Sequence, residues 1–188
     1  MTGDRRPTHG NPRPTRHVVV MGVSGVGKTT VARGIRELTG LTFAEADEFH
    51  SESNVARMRS GVPLDDEARW PWLRDLAAWM SARNTEGVST VLACSALKRS
   101  YRDLLRQGPP DLDFVHLDGP AEVIRERLSQ RAGHYMPASL LDSQVAALEP
   151  LGSDESGVVL DLSLPPDQLV TAAVTRLGLR TDTAAGGR

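Results

Sequence analysis

Three absences narrow the class of protein before any motif is considered. The 188 residues include a single cysteine, Cys94, so the chain can form no internal disulfide, which fits a reducing cytosol. No apolar run approaches membrane-spanning length, and none follows Arg5 and Arg6, so we expect neither a membrane span nor a secretory signal. The formal net charge of -2 provides no overall basic field of the kind that attracts nucleic acid.

Length and composition indicate an ordinary globular protein, 39% apolar and 24% charged, with room for one sizeable core. Residues 1–16 are rich in Pro, Gly, Arg and Thr and nearly devoid of apolar side chains. They predict a disordered tail, with a basic binding arm as the alternative, and residues 179–188 predict a flexible C-terminus. We therefore expect a single domain at residues 17–178 and a cytoplasmic protein.

The best-defined motif is a glycine-rich loop that follows the first predicted strand, the apolar and β-branched run at residues 17–21. Eight residues match the phosphate-binding pattern G-x-x-x-x-G-K-[ST]: Gly22, Val23, Ser24, Gly25, Val26, Gly27, Lys28 and Thr29. Val31, Ile35 and Leu38 then recur at helical spacing. Strand, loop and helix form the context that this P-loop requires, and a chance match in a glycine-rich turn is the alternative.

The pattern also predicts how the loop would hold a nucleotide. Its glycines let backbone N–H groups turn inward around anionic oxygens. The helix that follows adds the unpaired N–H groups of its first residues, up to and including Thr30. Lys28 would reach the β- and γ-phosphates, and the Thr29 hydroxyl would bind Mg²⁺. We therefore predict a site for ATP and Mg²⁺ at residues 22–30.

Strand-like and helix-like segments alternate along the domain, which indicates an α/β fold with a parallel sheet and helices on both faces. Strands are predicted at residues 17–21, 41–44, 88–93, 114–117 and 158–162. Helices are predicted near residues 28–39, 66–84, 98–107, 121–131, 137–149 and 166–177. Pro71 either breaks the second of these helices or lies in its first turn, and the sequence leaves both possibilities open.

Acidic residues follow the second predicted strand, at the edge of the sheet where open α/β folds bind ligands. On an extended segment, Glu45 and Asp47 would project to the same side. One could bind Mg²⁺ through water while the other accepts a proton from an attacking hydroxyl; a solvated acidic loop is the alternative. The third strand ends in Cys94-Ser95, where a Walker B strand usually ends in Asp, so Glu45 or Asp47 should supply the magnesium carboxylate. Cys94 itself is expected to be a buried, unreactive side chain.

Several cations could bind an anionic acceptor. Arg57, Arg59 and Arg69 follow the acid pair, and any one of them could hold a carboxylate with its planar fork, although each could equally lie on the surface. Lys98 and Arg99 begin a predicted helix, where the helix dipole disfavours cations, so we expect at least one of them to contact ligand.

A second group of cations lies in a segment that we interpret as a lid, about residues 121–140. Arg127 and Arg131 share one face of its helix. If the segment closes over a nucleotide, these arginines would neutralise charge on the transferring phosphoryl group, and a solvated helix face is the alternative.

Together with the P-loop, five stretches of this sequence resemble the gluconate kinases (gluconokinases), which are related in fold to shikimate and nucleoside monophosphate kinases. They are ADEFH (46–50), N-x-x-x-M-x-x-G-x-P-L-x-D (54–66), PWL (71–73), CSALKRSYRDLLR (94–106) and GHYMPASLLDSQVAALEPL (133–151). The resemblance covers nearly all of residues 17–177, and the last two stretches are more specific than the P-loop. This sequence departs from the family pattern at two positions: Glu45 stands where an aspartate is usual, and Arg57 stands where a lysine is usual.

This resemblance implies ATP-dependent phosphorylation of D-gluconate at its C6 hydroxyl, giving 6-phospho-D-gluconate, a step of carbohydrate metabolism that feeds the pentose phosphate pathway. It implies a three-layer α/β/α P-loop NTPase fold with a five-stranded parallel sheet, a helical lid and a homodimer. Asp47 would deprotonate the acceptor hydroxyl, and Thr29 and Glu45 would hold the metal. The expected acceptor-binding residues are His50, Arg57, Lys98, Arg99 and His134.

Two other functions fit the same residues. One is a kinase of another small acid, such as a shikimate-like substrate, which an acceptor panel with coupled ADP detection would distinguish. The other is a nucleotide-binding regulatory module without phosphoryl transfer, against which the acid pair and the arginine-rich lid both argue.

Overall fold

A parallel sheet of five strands lies at the centre of the protein, in the order β2-β3-β1-β4-β5. The computed structural model describes residues 14–129 and 138–182. The strands are β1 (His17–Met21), β2 (Thr42–Glu45), β3 (Thr90–Ala93), β4 (Leu112–Asp118) and β5 (Gly157–Asp161). In the register of the sheet, Val19 of β1 lies between Leu92 of β3 and Phe114 of β4.

Helices connect the strands and cover the sheet. Those in the described residues are α1 (Lys28–Thr39), α2 (Glu52–Arg59), α3 (Asp66–Thr85), α4 (Arg99–Leu105), α5 (Ala121–Ser129), α6 (Ala138–Ala147) and α7 (Pro166–Arg176). None of these helices combines the length and the apolar character that crossing a membrane would require. The predicted tail before residue 14 and the middle of the predicted lid, residues 130–137, lie outside the described residues.

The middle strand explains why the domain has three layers. Successive side chains of a strand point to opposite faces of the sheet. Val18 and Val20 accordingly pack in one buried apolar cluster, whereas Val19 and Met21 pack in another. Helices α1 and α7 contribute to the first cluster, and α3 and α4 contribute to the second. The predicted α/β/α fold with a five-stranded parallel sheet is confirmed.

The connections of the sheet place a crevice at the carboxyl ends of its central strands. The chain leaves β1 through α1 towards β2, and it leaves β3 through α4, on the opposite face, towards β4. Strands β1 and β3 are neighbours, so the loops after them diverge. Such a switch point is where open α/β folds bind their ligands.

Two local expectations differ from the structure. Helix α2 was not predicted, although Ser51 caps it by accepting a hydrogen bond from the Asn54 N–H. Both alternatives for Pro71 were wrong, because the residue lies in the second turn of α3 and the helix continues to Thr85. Burial of α3 side chains such as Leu76 stabilises the helix despite the missing proline N–H.

A buried ion pair joins the segment after β3 to the segment before β5. The Arg102 guanidinium is fully buried and donates through Nε and Nη2 to the two carboxylate oxygens of Glu155, both at 2.8 Å. Its remaining hydrogen bonds go to backbone carbonyl oxygens, those of Ala96, Leu97, Glu149 and Pro150. The pair therefore fixes the loop after β3 against the chain that follows α6.

The Glu155 carboxylate is ionised in this environment. Burial by itself would raise its pKa, but hydrogen bonds from Arg102, from the Gly152 N–H and from Arg106 outweigh burial and lower the pKa to about 2. A buried charge of this kind is costly once one partner is removed, because the remaining charge cannot return to water.

We expect Arg102→Met to lower the free energy of unfolding by about 3–5 kcal/mol, because it leaves Glu155 buried with incomplete compensation. Urea denaturation followed by circular dichroism measures the change. Arg83→Met is the matched control: Arg83 pairs with Glu86 in an exposed position, and its loss should cost about 0–1 kcal/mol. Equal effects of the two substitutions would contradict the role assigned to the buried pair.

Candidate active site

A cleft of about 540 Å³ opens at the crevice between the central strands. Its wall includes P-loop residues, the segment after β2, residues 58–64 from the end of α2 towards α3, and residues of α3, α5 and α6. The volume lies in the range of small-molecule sites. Lys28 of the P-loop and Glu45, Asp47 and His50 of the acidic segment, which the sequence singled out, all line it.

The P-loop has the backbone conformation that its glycines predict. Gly22 and Gly25 have φ angles of 136° and 88°, in a region that side chains disfavour. A Cβ on Gly22 would lie 2.8 Å from the Leu117 carbonyl oxygen, and one on Gly25 would lie 2.6 Å from Leu128 Cγ. Gly27 precedes α1, and no side chain in the described residues caps this helix. The N–H groups at the start of α1 are therefore available for an anion.

Side chains of the P-loop divide between the core and the cleft. Val23 and Val26 are buried in the apolar cluster on the α1 side, so only their backbones can meet a ligand. Lys28 Nζ donates to the Val23 carbonyl oxygen at 2.9 Å. The Ser24 N–H donates to Gln144 Oε1 of α6 at 2.7 Å. A neutral amide oxygen thus bonds an N–H of the phosphate-binding loop.

Thr29 and Glu45 meet across the crevice. The Thr29 hydroxyl donates to Glu45 Oε2 at 2.8 Å. Burial raises the pKa of Glu45, and the hydrogen bond from Thr29 opposes that change. A hydroxyl and a carboxylate are the oxygen donors that Mg²⁺ prefers, and protein sites commonly hold it with one or two carboxylates plus phosphate oxygens. The two residues therefore fit a magnesium site.

Asp47 does not continue the extended strand, which corrects the expected geometry of the acid pair. A short 3₁₀ turn, Ala46–Phe49, follows β2, and the Trp72 indole N–H holds it by donating to the Ala46 carbonyl oxygen at 2.7 Å. The turn leaves the Asp47 side chain 81% exposed. Glu45 and Asp47 nevertheless line the same cleft, because the turn begins directly after the strand.

His50 forms part of the cleft wall beside Asp47. Its side chain is 3% exposed, and its ring stacks on Trp72 with the ring centroids 4.3 Å apart. Burial lowers the pKa of His50, and nearby Asp47 partly opposes this. The imidazole is therefore neutral at pH 7. Its Nε2 lies 3.9 Å from Asp47 Oδ1, too far for a direct hydrogen bond.

The cations after β2 and β3 separate into two groups. Arg59 and Arg69 line the cleft. Three others form ion pairs with carboxylates and are not among the residues of its wall: Arg57 with Asp65, Lys98 with Asp66, and Arg99 with Asp154. Substrate contacts by those three stay predictions, and each would require its ion pair to open.

The described part of the predicted lid, helix α5, lies against the P-loop. Arg127 of α5 donates to the Leu162 carbonyl oxygen. It also lines a second cavity, of about 200 Å³, together with Gly27, Thr30 and Leu169. Arg131 and His134 lie outside the described residues, so their roles stay predictions.

Other residues of the cleft were not predicted as site residues. Gln144 is one of them, although it lies in the 133–151 stretch that carries the family resemblance. Cys94 lines the cleft but is only 2% exposed, and burial raises the pKa of its thiol to about 12. It is a buried and weakly acidic side chain, as the sequence predicted.

Comparison with known proteins gives a consistent assignment. A family profile described as an AAA domain matches residues 18–151. Gluconokinase of Gluconobacter oxydans (strain 621H) is 47% identical over 152 residues, which cover 81% of this chain and 85% of that protein.

Two solved structures agree with this match. A gluconokinase from Sinorhizobium meliloti 1021 has a TM-score of 0.81 at 41% identity, over 88% of this chain and 93% of that one. An unliganded sugar kinase from Janibacter sp. HTCC2649 has a TM-score of 0.85 at 66% identity, over 88% of this chain and 96% of that one. Sequence identity and fold agree over most of each chain, and the protein therefore belongs to the gluconokinase family of P-loop kinases.

Proposed function

We propose that the protein transfers the γ-phosphoryl group of ATP to the C6 hydroxyl of D-gluconate, giving 6-phospho-D-gluconate and ADP. The observation that carries this proposal is the single cleft lined by both Lys28 and Asp47. It joins a phosphate-binding loop to a carboxylate that can accept a proton, as a kinase of an alcohol requires. The naming of its relatives as gluconokinases supports the choice of acceptor.

The phosphate end of the cleft is built from α1 and the loop before it. Backbone N–H groups of the P-loop bind the phosphate oxygens, and Lys28 stabilises negative charge on the β- and γ-phosphates. Thr29 and Glu45 are the residues that would hold Mg²⁺. When bound, this ion supplies positive charge that offsets the charge of the phosphates.

The acceptor end is built from the turn after β2 and from α3. Asp47 orients the C6 hydroxyl and takes its proton as the phosphoryl group is transferred. The neutral ring of His50, held flat against Trp72, offers a nitrogen to a hydroxyl of the acceptor. Phosphoryl transfer depends mainly on positioning and charge stabilisation, so a rigid wall beside the base favours the reaction.

Other parts of the assignment stay predictions. Arg127 and Arg131 would close over the nucleotide from the lid, and His134 would contact the acceptor. The homodimer and the cytoplasmic location likewise rest on the family resemblance and on composition.

An acceptor panel tests the proposed reaction. Purified protein with ATP and Mg²⁺ is assayed for ADP release with D-gluconate, shikimate, D-glucose and no acceptor. D-gluconate should have a kcat/KM at least about 100-fold above the other acceptors, because D-glucose lacks the carboxylate and shikimate carries its hydroxyls on a rigid ring of different shape. Faster turnover of shikimate would support another small-acid kinase. ATP binding without acceptor-dependent ADP release would support a regulatory module.

We expect Lys28→Ala and Asp47→Asn each to lower kcat with D-gluconate by about 10²–10⁴-fold, because each removes a charge that acts at the reacting groups. Asp75→Asn is the control for the acidic position: Asp75 is exposed on α3 and does not line the cleft. Steady-state kinetics and thermal unfolding are measured on all variants. Near-normal kcat in Asp47→Asn would remove Asp47 as the base.

Gln144 provides a further prediction, because its side-chain oxygen occupies the Ser24 N–H that a phosphate oxygen would need. ATP must replace this hydrogen bond, so Gln144→Ala should lower the Kd for ATP by about 2- to 10-fold. Isothermal titration calorimetry without acceptor measures the change. Gln107→Ala, at an exposed position after α4, is the matched control. Weaker ATP binding by Gln144→Ala would show instead that the amide assists the nucleotide.

A further inference from the structure

The proposed acceptor carries a carboxylate, and two of the candidate arginines after β2 line the part of the cleft wall that the structure describes. Five of the cations after β2 and β3 were singled out from the sequence as candidates: Arg57, Arg59, Arg69, Lys98 and Arg99. Three of them already lie within 3.2 Å of a carboxylate: Arg57, Lys98 and Arg99. The other two, Arg59 and Arg69, line the cleft.

Arg69 is the better positioned of these two side chains. Arg59 ends α2 and is exposed, whereas Arg69 lies in the first turns of α3 and is half-buried. Arg69 Nε donates to the Leu64 carbonyl oxygen at 3.1 Å, and its guanidinium carbon lies 5.9 Å from the centroid of the Tyr101 ring. These contacts hold the guanidinium in place, so less conformational entropy is lost when it binds a ligand.

The outer nitrogens of Arg69 are available to a ligand. Within residues 14–129 and 138–182, the bond to Leu64 is the only hydrogen bond of this side chain. Asp66, three residues earlier on the same helix, is already occupied: it accepts from Lys98 Nζ at 2.8 Å through both oxygens and from the Tyr101 hydroxyl at 2.5 Å. Because Asp66 pairs with Lys98, it does not form an ion pair with Arg69.

Arg69 and Lys28 line the same cleft from different layers of the fold. Lys28 enters the cleft from α1, on one face of the sheet, whereas Arg69 enters it from α3, which packs on the other face. The C6 hydroxyl and the carboxylate of gluconate are at opposite ends of a six-carbon chain. An acceptor whose hydroxyl lies at Asp47 would extend its carboxylate away from the phosphates, which repel it.

We propose that Arg69 binds the carboxylate of the acceptor with its two outer nitrogens and thereby selects sugar acids over neutral polyols. This assignment rests on the proposed function and adds the residue that recognises the acid. A planar guanidinium and a carboxylate form paired, charge-assisted hydrogen bonds, which are stronger than neutral ones and depend on orientation.

The test compares D-gluconate with D-gluconamide, which has the same carbon chain and a neutral amide in place of the carboxylate. In Arg69→Gln, the KM for D-gluconate should rise by about 10- to 100-fold, the loss expected for a charged hydrogen-bonded pair. The KM for D-gluconamide and the KM for ATP should stay within about threefold of the wild-type values. The preference for the acid over the amide therefore falls, which general damage to the site would not produce.

Three further variants sharpen the result. Arg69→Lys keeps the charge without the fork and should recover part of the preference for D-gluconate. Arg74→Gln is the control, because it makes the same change on an exposed position of α3 that does not line the cleft. Arg59→Gln tests the competing arginine, and a loss of acid preference there, with none in Arg69→Gln, would overturn the proposal.

Other outcomes are equally decisive. If Arg69→Gln loses activity with both acceptors to the same extent, Arg69 is structural and the proposal is wrong. If wild-type protein phosphorylates D-gluconate and Arg69→Gln keeps its acid preference, this assignment fails while the proposed function stands. If wild-type protein does not phosphorylate D-gluconate, the proposed function fails and this assignment fails with it.

Discussion

The structure depends on one constraint: the glycine-rich loop between β1 and α1 must be held rigidly at the edge of a cleft. Buried polar backbone groups normally find protein partners, and the start of α1 has no side-chain cap in the described residues, so the loop has to be held by its surroundings. Here β1 is enclosed in the middle of the sheet, and Val23 and Val26 anchor the loop in the core. Close contacts at Gly22 and Gly25 leave no room for a side chain. The loop is thus rigid where it must bind charge.

The remaining parts of the site are arranged around this loop by the order of the strands. Because β3 lies between β1 and β2, the Thr29 hydroxyl and the Glu45 carboxylate come within hydrogen-bond distance across the crevice. The turn that follows β2 then presents Asp47 to the cleft. The Arg102–Glu155 pair fixes the loop after β3, which supplies another part of the wall. The proposed phosphate, metal and acceptor positions therefore depend on one shared framework.

Charge pairing determines which of the many cations can act on a ligand. In sequence, Arg57, Lys98 and Arg69 were comparable candidates for a carboxylate. The structure pairs Arg57 with Asp65 and Lys98 with Asp66, and it places Arg69 in the wall of the cleft. An arginine at a helix surface contributes little when a nearby acid already neutralises it. Partner acids, more than the number of cations, therefore define the acceptor end of the site.

The sequence by itself determined the α/β class, the P-loop and the acids after β2, because hydrophobic periodicity and glycine spacing are local properties of the chain. It also determined the family through short motifs. Only the tertiary structure decided that Asp47 lies in a 3₁₀ turn, that Gln144 bonds the P-loop, and that Arg69 lines the cleft. These facts depend on contacts between residues far apart in the chain, and spacing along a sequence does not specify which distant acid will neutralise which base.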